Sequence, residues 1–173
     1  MTILELTLAI IKPHIVKNPV FLDAVRNVIL NSDFKIVKSK RKRISLDEAT
    51  HFYEEHKHKF FYNRLVTFMT SGPSDLYVLA KENAIRDWRS LMGPTKSFKA
   101  QYEAPNTLRG RFGLSDTRNA THGSDSPESA RREIQIFFPD FNVDEWYRTA
   151  EQKFRSNLII FSKEEFIHKI VDT

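Results

Sequence analysis

The chain has 173 residues, 40% of them hydrophobic, which is enough to form one domain with a substantial core. Its formal net charge of +5 fits an anionic partner, but nucleotides, nucleic acids and acidic membranes all meet that description. Because the sequence contains no cysteine, it excludes disulfide scaffolds, thiolate nucleophiles and zinc or iron–sulfur sites held by cysteine.

The first residues show no secretory signal, transmembrane helix or transit peptide. The apolar run over residues 4–11 is too short to span a bilayer and has no basic flank before it. We therefore expect an intracellular protein without a membrane segment. The cytoplasm is the first expectation for its location, and a mitochondrial location is the alternative.

The first part of the chain predicts two strands and two helices. Residues 3–11 read as a buried strand, and the apolar residues that follow Pro19 at helical spacing predict a helix. A second strand is expected around residues 34–44. The capping-box pattern at Ser45-Leu46-Asp47-Glu48 then begins a helix that continues to about His56.

The remaining elements follow from apolar spacing and from the positions of glycine and proline. We predict a helix over 61–69, a strand over 76–80, a helix over 85–92, an irregular loop over 95–108, a strand over 109–114, a helix over 127–138, and a helical stretch with a last amphipathic piece in 139–173. This alternation indicates a single domain of the α/β or α+β class.

The residues between Asn119 and Glu133 are the densest candidate for chemistry. His122 and Gly123 precede a polar turn and then a helix, which begins at Pro127. Glycine permits a sharp turn beside the imidazole, and the N-terminus of a helix favours phosphate through its free N–H groups and partial positive charge. Taken alone, a His-Gly-Ser sequence is more often a solvated turn.

Glu133 flanks the apolar face of that predicted helix and needs a partner, because a partly buried charge without one is costly. His122 and Ser124 are the two candidates for that partner. An imidazole whose second nitrogen is held by a carboxylate has a fixed tautomer and a more basic free nitrogen, as a nucleophile requires.

Four further residues are candidates for binding phosphate: Lys12, Arg89, Thr95 and Arg109. Lys12 ends the first strand, at a sheet edge of the kind where ligands of open sheets commonly lie. The others could make hydrogen bonds to phosphate, charge-assisted from the two arginines, although each alone is ordinary for a surface. The five glycines form no glycine-rich phosphate loop, so a nucleotide would have to be held by side chains.

Three other clusters favour ordinary structural roles. The aromatic run Phe60-Phe61-Tyr62 is more often core than a stacking platform for a base. The histidines between 51 and 58 lack metal-binding spacing, and we predict no metal site made by the protein alone. The basic run over 38–43 is more often a solvated strand end, so we regard specific nucleic-acid binding as the weaker hypothesis.

The motif Asn-x-x-His-Gly-Ser-Asp-Ser-x-Glu-Ser-Ala-x-x-Glu-Ile, which begins at Asn119, resembles the active-site signature of nucleoside diphosphate kinases. Ile11-Lys12-Pro13, Ser71-Gly72-Pro73 and Leu108-Arg109-Gly110 resemble further family motifs in the same order. The similarity covers roughly residues 5–140. Three segments, Phe-Phe-Tyr-x-Arg-Leu-Val, Leu-Met-Gly-Pro-Thr and Asp-Thr-Arg-Asn-x-Thr-His-Gly, are similar to the divergent type 6 branch of the family.

The resemblance implies a ferredoxin-like antiparallel sheet sandwich with helices packed on it, formed by residues 1–140, and a C-terminal helical extension over 141–173 packed on or near it. It also implies transfer of the γ-phosphate of a nucleoside triphosphate such as ATP to a nucleoside diphosphate by a ping-pong mechanism. Mg²⁺ would be the cofactor, held mainly by the nucleotide phosphates.

The resemblance also assigns roles to individual residues. His122 would be the nucleophile, with Glu133, Ser124 and Tyr53 orienting the site. Phosphate, ribose or base would be bound by Lys12, Phe61, Arg89, Thr95, Arg109 and Asn119. Phe61 would stack on the base, with Phe60 as the competing choice for that role.

The sequence also departs from the family pattern. After the first strand, His14 and Lys17-Asn18-Pro19 replace the acidic and glycine-rich residues that are usual in the family. The loop over 95–109 is longer than the common form by a few residues. A homo-oligomer is expected, since hexamers are usual in the family, yet this loop helps to build the oligomer contacts. The alternative function is a weakly active or inactive nucleotide-binding protein with a regulatory or scaffold role.

Overall fold

The computed structural model describes residues 2–172. Four strands form the main sheet: β1 (Glu5–Ile11), β2 (Lys35–Arg43), β3 (Pro73–Lys81) and β4 (Thr121–Gly123). Their order is β2-β3-β1-β4, and every neighbouring pair is antiparallel. The predicted antiparallel sheet with helices packed on it is confirmed, as a single ferredoxin-like α/β domain.

Helices connect the strands and cover both faces of the sheet. They are α1 (Pro13–Val16), α2 (Pro19–Asn31), α3 (Leu46–Phe52), α4 (Tyr62–Met69), α5 (Ala84–Met92), α6 (Ser97–Glu103), α7 (Leu108–Phe112), α8 (Pro127–Phe137), α9 (Val143–Thr149) and α10 (Glu151–Arg155). The capping box predicted at the start of α3 is present, since Ser45 Oγ accepts from Glu48 N and Glu48 Oε1 accepts from Ser45 N. No helix within residues 2–172 is long and apolar enough to cross a membrane.

The core lies on both faces of β1, which explains why its sequence is apolar without alternation. Leu8 and Ile10 belong to the cluster that contains Ile134 and Phe137 of α8. Ala9 and Ile11 belong to the second cluster, which contains residues of α2 and α5. The central strand is therefore rigidly held, and its partner β4 receives a fixed position.

Two predictions between β3 and β4 are wrong. Residues 109–114 do not form a strand, because α7 occupies Leu108–Phe112. Its N-cap is Thr107, whose hydroxyl accepts from Gly110 N at 3.2 Å. The segment 95–108, expected to be irregular, contains α6, which packs against α7. Both helices are short, so their apolar spacing gives a weak signal, and packing stabilises them more than propensity does.

The C-terminal segment is only partly helical, so the expectation of a helical extension is wrong for its last part. After α9 and α10, residues Ile159–Ser162 and Ile167–Ile170 form the strands β5 and β6 of an antiparallel hairpin. Its β-branched isoleucines favour strand, and Phe166 has a φ of +53° at the end of the turn. We call residues 157–171 the C-terminal hairpin.

Candidate active site

The short strand β4 carries His122. It pairs with β1 so that His122 lies opposite Ile10, and the indole N–H of Trp88 donates to His122 O at 3.1 Å. Gly123 is required here by close approach and not by a turn, because a Cβ at this position would lie 2.4 Å from Trp88 Cδ1. The expected sharp turn at Gly123 is therefore wrong, and the backbone beside the imidazole is extended.

The imidazole of His122 contacts the carboxylate of Glu133. His122 Nε2 lies 2.5 Å from Glu133 Oε1, and Ser124 Oγ donates to the same oxygen at 3.3 Å. Ser124 Oγ in turn accepts from Leu8 N at 3.1 Å, which ties the group to β1. Both candidate partners of Glu133 thus contact it, and Glu133 itself is buried.

This arrangement leaves one nitrogen of His122 for chemistry. With Nε2–H donating to the carboxylate, the lone pair of the neutral ring is on Nδ1. No residue within 2–172 makes a hydrogen bond to Nδ1. The side chain is 26% exposed, so the free nitrogen is held in a fixed orientation without being closed off from solvent.

Aromatic rings hold the other side of the imidazole. Phe52 of α3 meets His122 edge to face, with 4.7 Å between ring centroids. Tyr53, the next residue, packs edge to face on Phe52 at 4.7 Å. Burial, and then the charge of Glu133, raise the pKa of the Tyr53 phenol. Tyr53 therefore remains a neutral hydroxyl close to the His122–Glu133 pair.

Lys12 and Asn119 form a second polar pair beside β4. Lys12 Nζ donates to Asn119 Oδ1 at 2.6 Å and to Thr117 O at 3.4 Å. Burial, and then the charge of Arg109, lower the pKa of Lys12 to about 7. An anion bound here would restore the full charge of this lysine.

Arg109 lies on α7 and reaches the same strand. One of its terminal nitrogens donates to Gly93 O at 2.8 Å and to Thr95 Oγ1 at 3.4 Å, and the other donates to Thr121 O at 3.2 Å. Its Nε is buried without a hydrogen-bond partner. Burial, and then the charge of Arg89, lower the pKa of Arg109 to about 10. Buried cations without a carboxylate partner are costly, and a bound anion would offset that cost.

Arg89 and Thr95 are exposed on the rim of this group. Arg89 is in the last turn of α5, close enough to Arg109 to disfavour its charge. Phe61 is farther from His122 and is linked to it by a series of rings. Phe61 lies 5.7 Å from His56, and His56 lies 6.3 Å from Tyr53. Phe60, the alternative, is 88% exposed.

Sequence reasoning missed three features of the site. Phe52 supports the imidazole but reads as an ordinary helix residue. Trp88 donates to the backbone of His122. In the sequence, only the glycine at position 123, which packs against Trp88, indicates that contact. Ala120 adopts a φ of +81°, a conformation that costs an L-residue about 1 kcal/mol or more, and its carbonyl accepts from Lys12 N at 2.9 Å. No local pattern reveals such strain.

The side chains near His122 offer little to a metal ion. No three His, Asp or Glu side chains among residues 2–172 come together as a metal-binding group. The site offers cations and amides instead, which suit phosphate oxygens. A magnesium ion at this place would need oxygen ligands from a bound nucleotide.

The model of the nucleoside diphosphate kinase family matches residues 5–143. The chain belongs to the nucleoside diphosphate kinase family. Within it, the chain is 50% identical to nucleoside diphosphate kinase 6 of Xenopus tropicalis, over 96% of this chain and 93% of that protein. It is 51% identical to nucleoside diphosphate kinase 6 of Mus musculus, over 98% and 90%. The resemblance to the type 6 branch is confirmed.

Solved structures agree with this assignment. The nucleoside diphosphate kinase of Aquifex aeolicus is 39% identical with a TM-score of 0.74, covering 78% of this chain and 95% of that one. The enzyme of Halobacterium salinarum, solved in complex with CDP, is 34% identical with a TM-score of 0.71, covering 83% and 97%. The family model ends at residue 143, so the C-terminal hairpin lies outside it.

Proposed function

We propose that this chain transfers the γ-phosphoryl group of a nucleoside triphosphate to a nucleoside diphosphate, with His122 Nδ1 as the attacking atom. The observation that carries the proposal is the 2.5 Å contact between His122 Nε2 and Glu133 Oε1. This contact directs the lone pair of the imidazole to Nδ1, and it stabilises the positive charge that the ring acquires as the N–P bond forms.

The reaction has two halves at one site. In the first, the Nδ1 lone pair forms a bond to the γ-phosphorus while the bond to the β–γ bridging oxygen breaks, and the diphosphate leaves. In the second, a terminal oxygen of another diphosphate attacks the phosphohistidine and restores the neutral imidazole. Glu133 keeps its contact with Nε2 throughout, and Ser124 keeps the carboxylate in place.

Lys12 and Arg109 would bind the transferring group. Both are buried, both flank the backbone of β4, and neither forms an ion pair with a carboxylate in the part of the chain described here. Phosphate oxygens supply the missing negative charge, and the cations stabilise it most when it spreads over the transferring group. Asn119 orients Lys12, and Arg89 and Thr95 would extend the contact outward.

The nucleotide would bring Mg²⁺ on its phosphates, since the surrounding side chains do not form a carboxylate cage. When bound, the ion would offset charge on the phosphate oxygens. Phe61 would stack on the base, a contact that tolerates every base because each has a π-face. Nucleoside di- and triphosphates are therefore the proposed ligands.

The test is phosphorylation of the protein by γ-labelled ATP, followed by transfer of the label to GDP. We expect acid-labile label on the wild type and on His51→Ala, an exposed histidine that serves as control. We expect none on His122→Ala. Label on His122→Ala would refute the assignment. Nucleotide-dependent thermal stabilisation without transfer would favour the regulatory or scaffold role instead.

A further inference from the structure

α7 carries Arg109 but has only five residues, Leu108–Phe112. A helix of little more than one turn is not stable by itself in water, so contacts at its two ends decide where it lies. The first end is capped by Thr107, whose Oγ1 accepts from Gly110 N at 3.2 Å. The position of Arg109 therefore depends on what holds the second end.

The second end of α7 is held by a histidine from α1. His14 Nε2 lies 3.2 Å from Phe112 O in a buried contact. Because a carbonyl oxygen only accepts, Nε2 carries the proton and donates. The last carbonyls of a helix have no partner inside it, so the imidazole satisfies an acceptor that α7 itself cannot satisfy.

Packing fixes both partners of this hydrogen bond. His14 is 8% exposed, and its ring centroid lies 5.7 Å from that of Phe68 on α4. Phe112, which accepts the bond, packs on Phe21 of α2 with 5.1 Å between ring centroids. Both partners are thus buried, and a buried hydrogen bond is electrostatically stronger than one in water.

His14 also lies next to the end of β1, close to Lys12. Lys12 is two positions before it, and Lys12 N donates to Ala120 O at 2.9 Å. Lys12 is close enough to Arg109 that, after burial, the charge of Arg109 lowers the pKa of the lysine. The imidazole thus joins the segment of one buried cation to the helix of the other.

The ring makes this bond without adding a charge. Burial lowers the pKa of His14, and the bond to Phe112 acts in the opposite direction. The surrounding charges lower the pKa further, those of Lys12, Arg118 and Lys17. His14 Nδ1 is buried without a hydrogen-bond partner among residues 2–172, so a proton there would add a positive charge beside these cations. At neutral pH the imidazole is therefore a neutral donor.

We infer that His14 is a positioning residue for phosphotransfer: its bond to Phe112 O holds α7 so that Arg109 stays beside Lys12 at the transferring phosphoryl group. The inference rests on the proposed function, in which both cations bind that group. In this role His14 acts through Arg109 and not by contact with the nucleotide. The effect falls on the rate of transfer more than on affinity, because the cations stabilise the transferring group most as its negative charge spreads.

The first test measures amide hydrogen exchange at the end of α7 and needs no nucleotide. Gly113 N donates to Arg109 O at 2.9 Å. His14→Phe keeps a ring against Phe68 but removes the donor. We expect the Gly113 amide to exchange about tenfold faster in this variant, the effect of one lost hydrogen bond, while Leu79 of β3 exchanges as in the wild type and reports on folding. Unchanged exchange at Gly113 would overturn the inference.

The second test measures single-turnover labelling of His122 by γ-labelled ATP. We expect the rate constant to fall about tenfold in His14→Phe, with a smaller change in nucleotide affinity. His14→Gln, whose amide nitrogen can donate to the same carbonyl, should stay within about threefold of the wild type. Loss of stability alone would lower the labelled fraction and leave the rate constant unchanged. His51→Phe, the same substitution at an exposed histidine, is the control and should label at the wild-type rate.

A double-mutant cycle tests the route through Arg109. Arg109→Gln removes the cation that α7 carries and should slow labelling by itself. Adding His14→Phe should then slow labelling by less than about threefold, because the group that His14 positions is already lost. A further loss of about tenfold in this background would show that His14 acts by another route, and the inference would be wrong.

The outcomes separate the role of His14 from the proposed function. If the wild type is not labelled, the proposed function fails, while exchange at Gly113 still decides whether His14 holds α7. If the wild type is labelled, two results contradict the inference: a wild-type rate in His14→Phe, or a rate in His14→Gln as low as that in His14→Phe.

Discussion

Glu133 on α8 and His122 on β4 are joined by a 2.5 Å contact between Oε1 and Nε2, although they belong to different elements. The contact exists because β4 pairs with β1 and α8 packs on the same strand. Glu133 is buried, and Ser124 Oγ donates to the same carboxylate oxygen, so the carboxylate is held in place from two sides. A surface turn could not fix an imidazole in this way.

Glu133→Gln should lower the rate of phosphotransfer by about 10- to 100-fold or more, the range found when a carboxylate that orients a metal-bound histidine is lost. The amide keeps the shape of the side chain but loses the charge that stabilises the imidazolium. Single-turnover formation of phosphohistidine measures the effect. Glu128→Gln, in the exposed first turn of the same helix, is the control. Equal rates for both variants would contradict an orienting role.

Nucleotide binding should take up a proton at Lys12 above neutral pH. In the free protein the pKa of Lys12 is about 7, and bound phosphates would raise it. Affinity should then fall as pH rises from 7 towards 9, because the neutral amine has to be protonated on binding. Calorimetry in buffers of different ionisation enthalpy measures the uptake.

Lys12→Arg removes this linkage, since a guanidinium stays protonated over the whole range. Lys17→Arg, an exposed neighbour, should preserve it. If proton uptake is the same in Lys12→Arg as in the wild type, another group is responsible.

Much of the site follows from the sequence because its residues are local to one motif or end a strongly apolar strand. His122, Ser124 and Glu133 are within twelve positions, and the helical period alone brings Glu133 to the flank of the core face. Lys12 is found from the end of β1. These positions depend on periodicity, which sequence patterns reveal well.

The remainder depends on tertiary packing. β4 has only three residues and exists through its pairing with β1, so no periodic signal marks it. α7 looks like a strand because apolar and basic residues alternate in Leu108-Arg109-Gly110-Arg111-Phe112, and the Thr107 cap decides the outcome. The hairpin reads as an amphipathic piece in the sequence, although Phe161 and Phe166 lie on either side of its turn. Long-range contacts select between such alternatives.

Stability should fall as pH drops from about 6.5 towards 4, in part because of His168. Burial, and then the charge of Lys35, lower its pKa to about 4 in the folded protein, against an ordinary value of 6.5. The unfolded chain therefore binds a proton in this window before the folded chain does, and the stability present above pH 6.5 is lost as pH falls. Urea unfolding across this range measures the change.

His168→Phe should flatten this dependence, because phenylalanine does not titrate. Burial also lowers the pKa of His14 and of His56, and both effects have the same sign. The stability of His168→Phe should therefore still depend on pH, but less steeply than that of the wild type. Identical profiles for wild type and His168→Phe would show that the stability does not depend on a neutral ring at position 168.

Gly123→Ala should destabilise the fold by about 1–3 kcal/mol, the usual cost of overpacking a core. The added Cβ would lie 2.4 Å from Trp88 Cδ1 and 2.8 Å from Met92 Cε, so the indole has to move. Because Trp88 donates to His122 O, phosphotransfer should fall as well. Gly72→Ala is the matched control, since its Cβ would meet only Pro13 Cβ, at an ordinary 3.5 Å. Urea unfolding, monitored by tryptophan fluorescence, compares the two variants. Equal stabilities would contradict the conclusion that the close approach of Trp88 requires glycine at position 123.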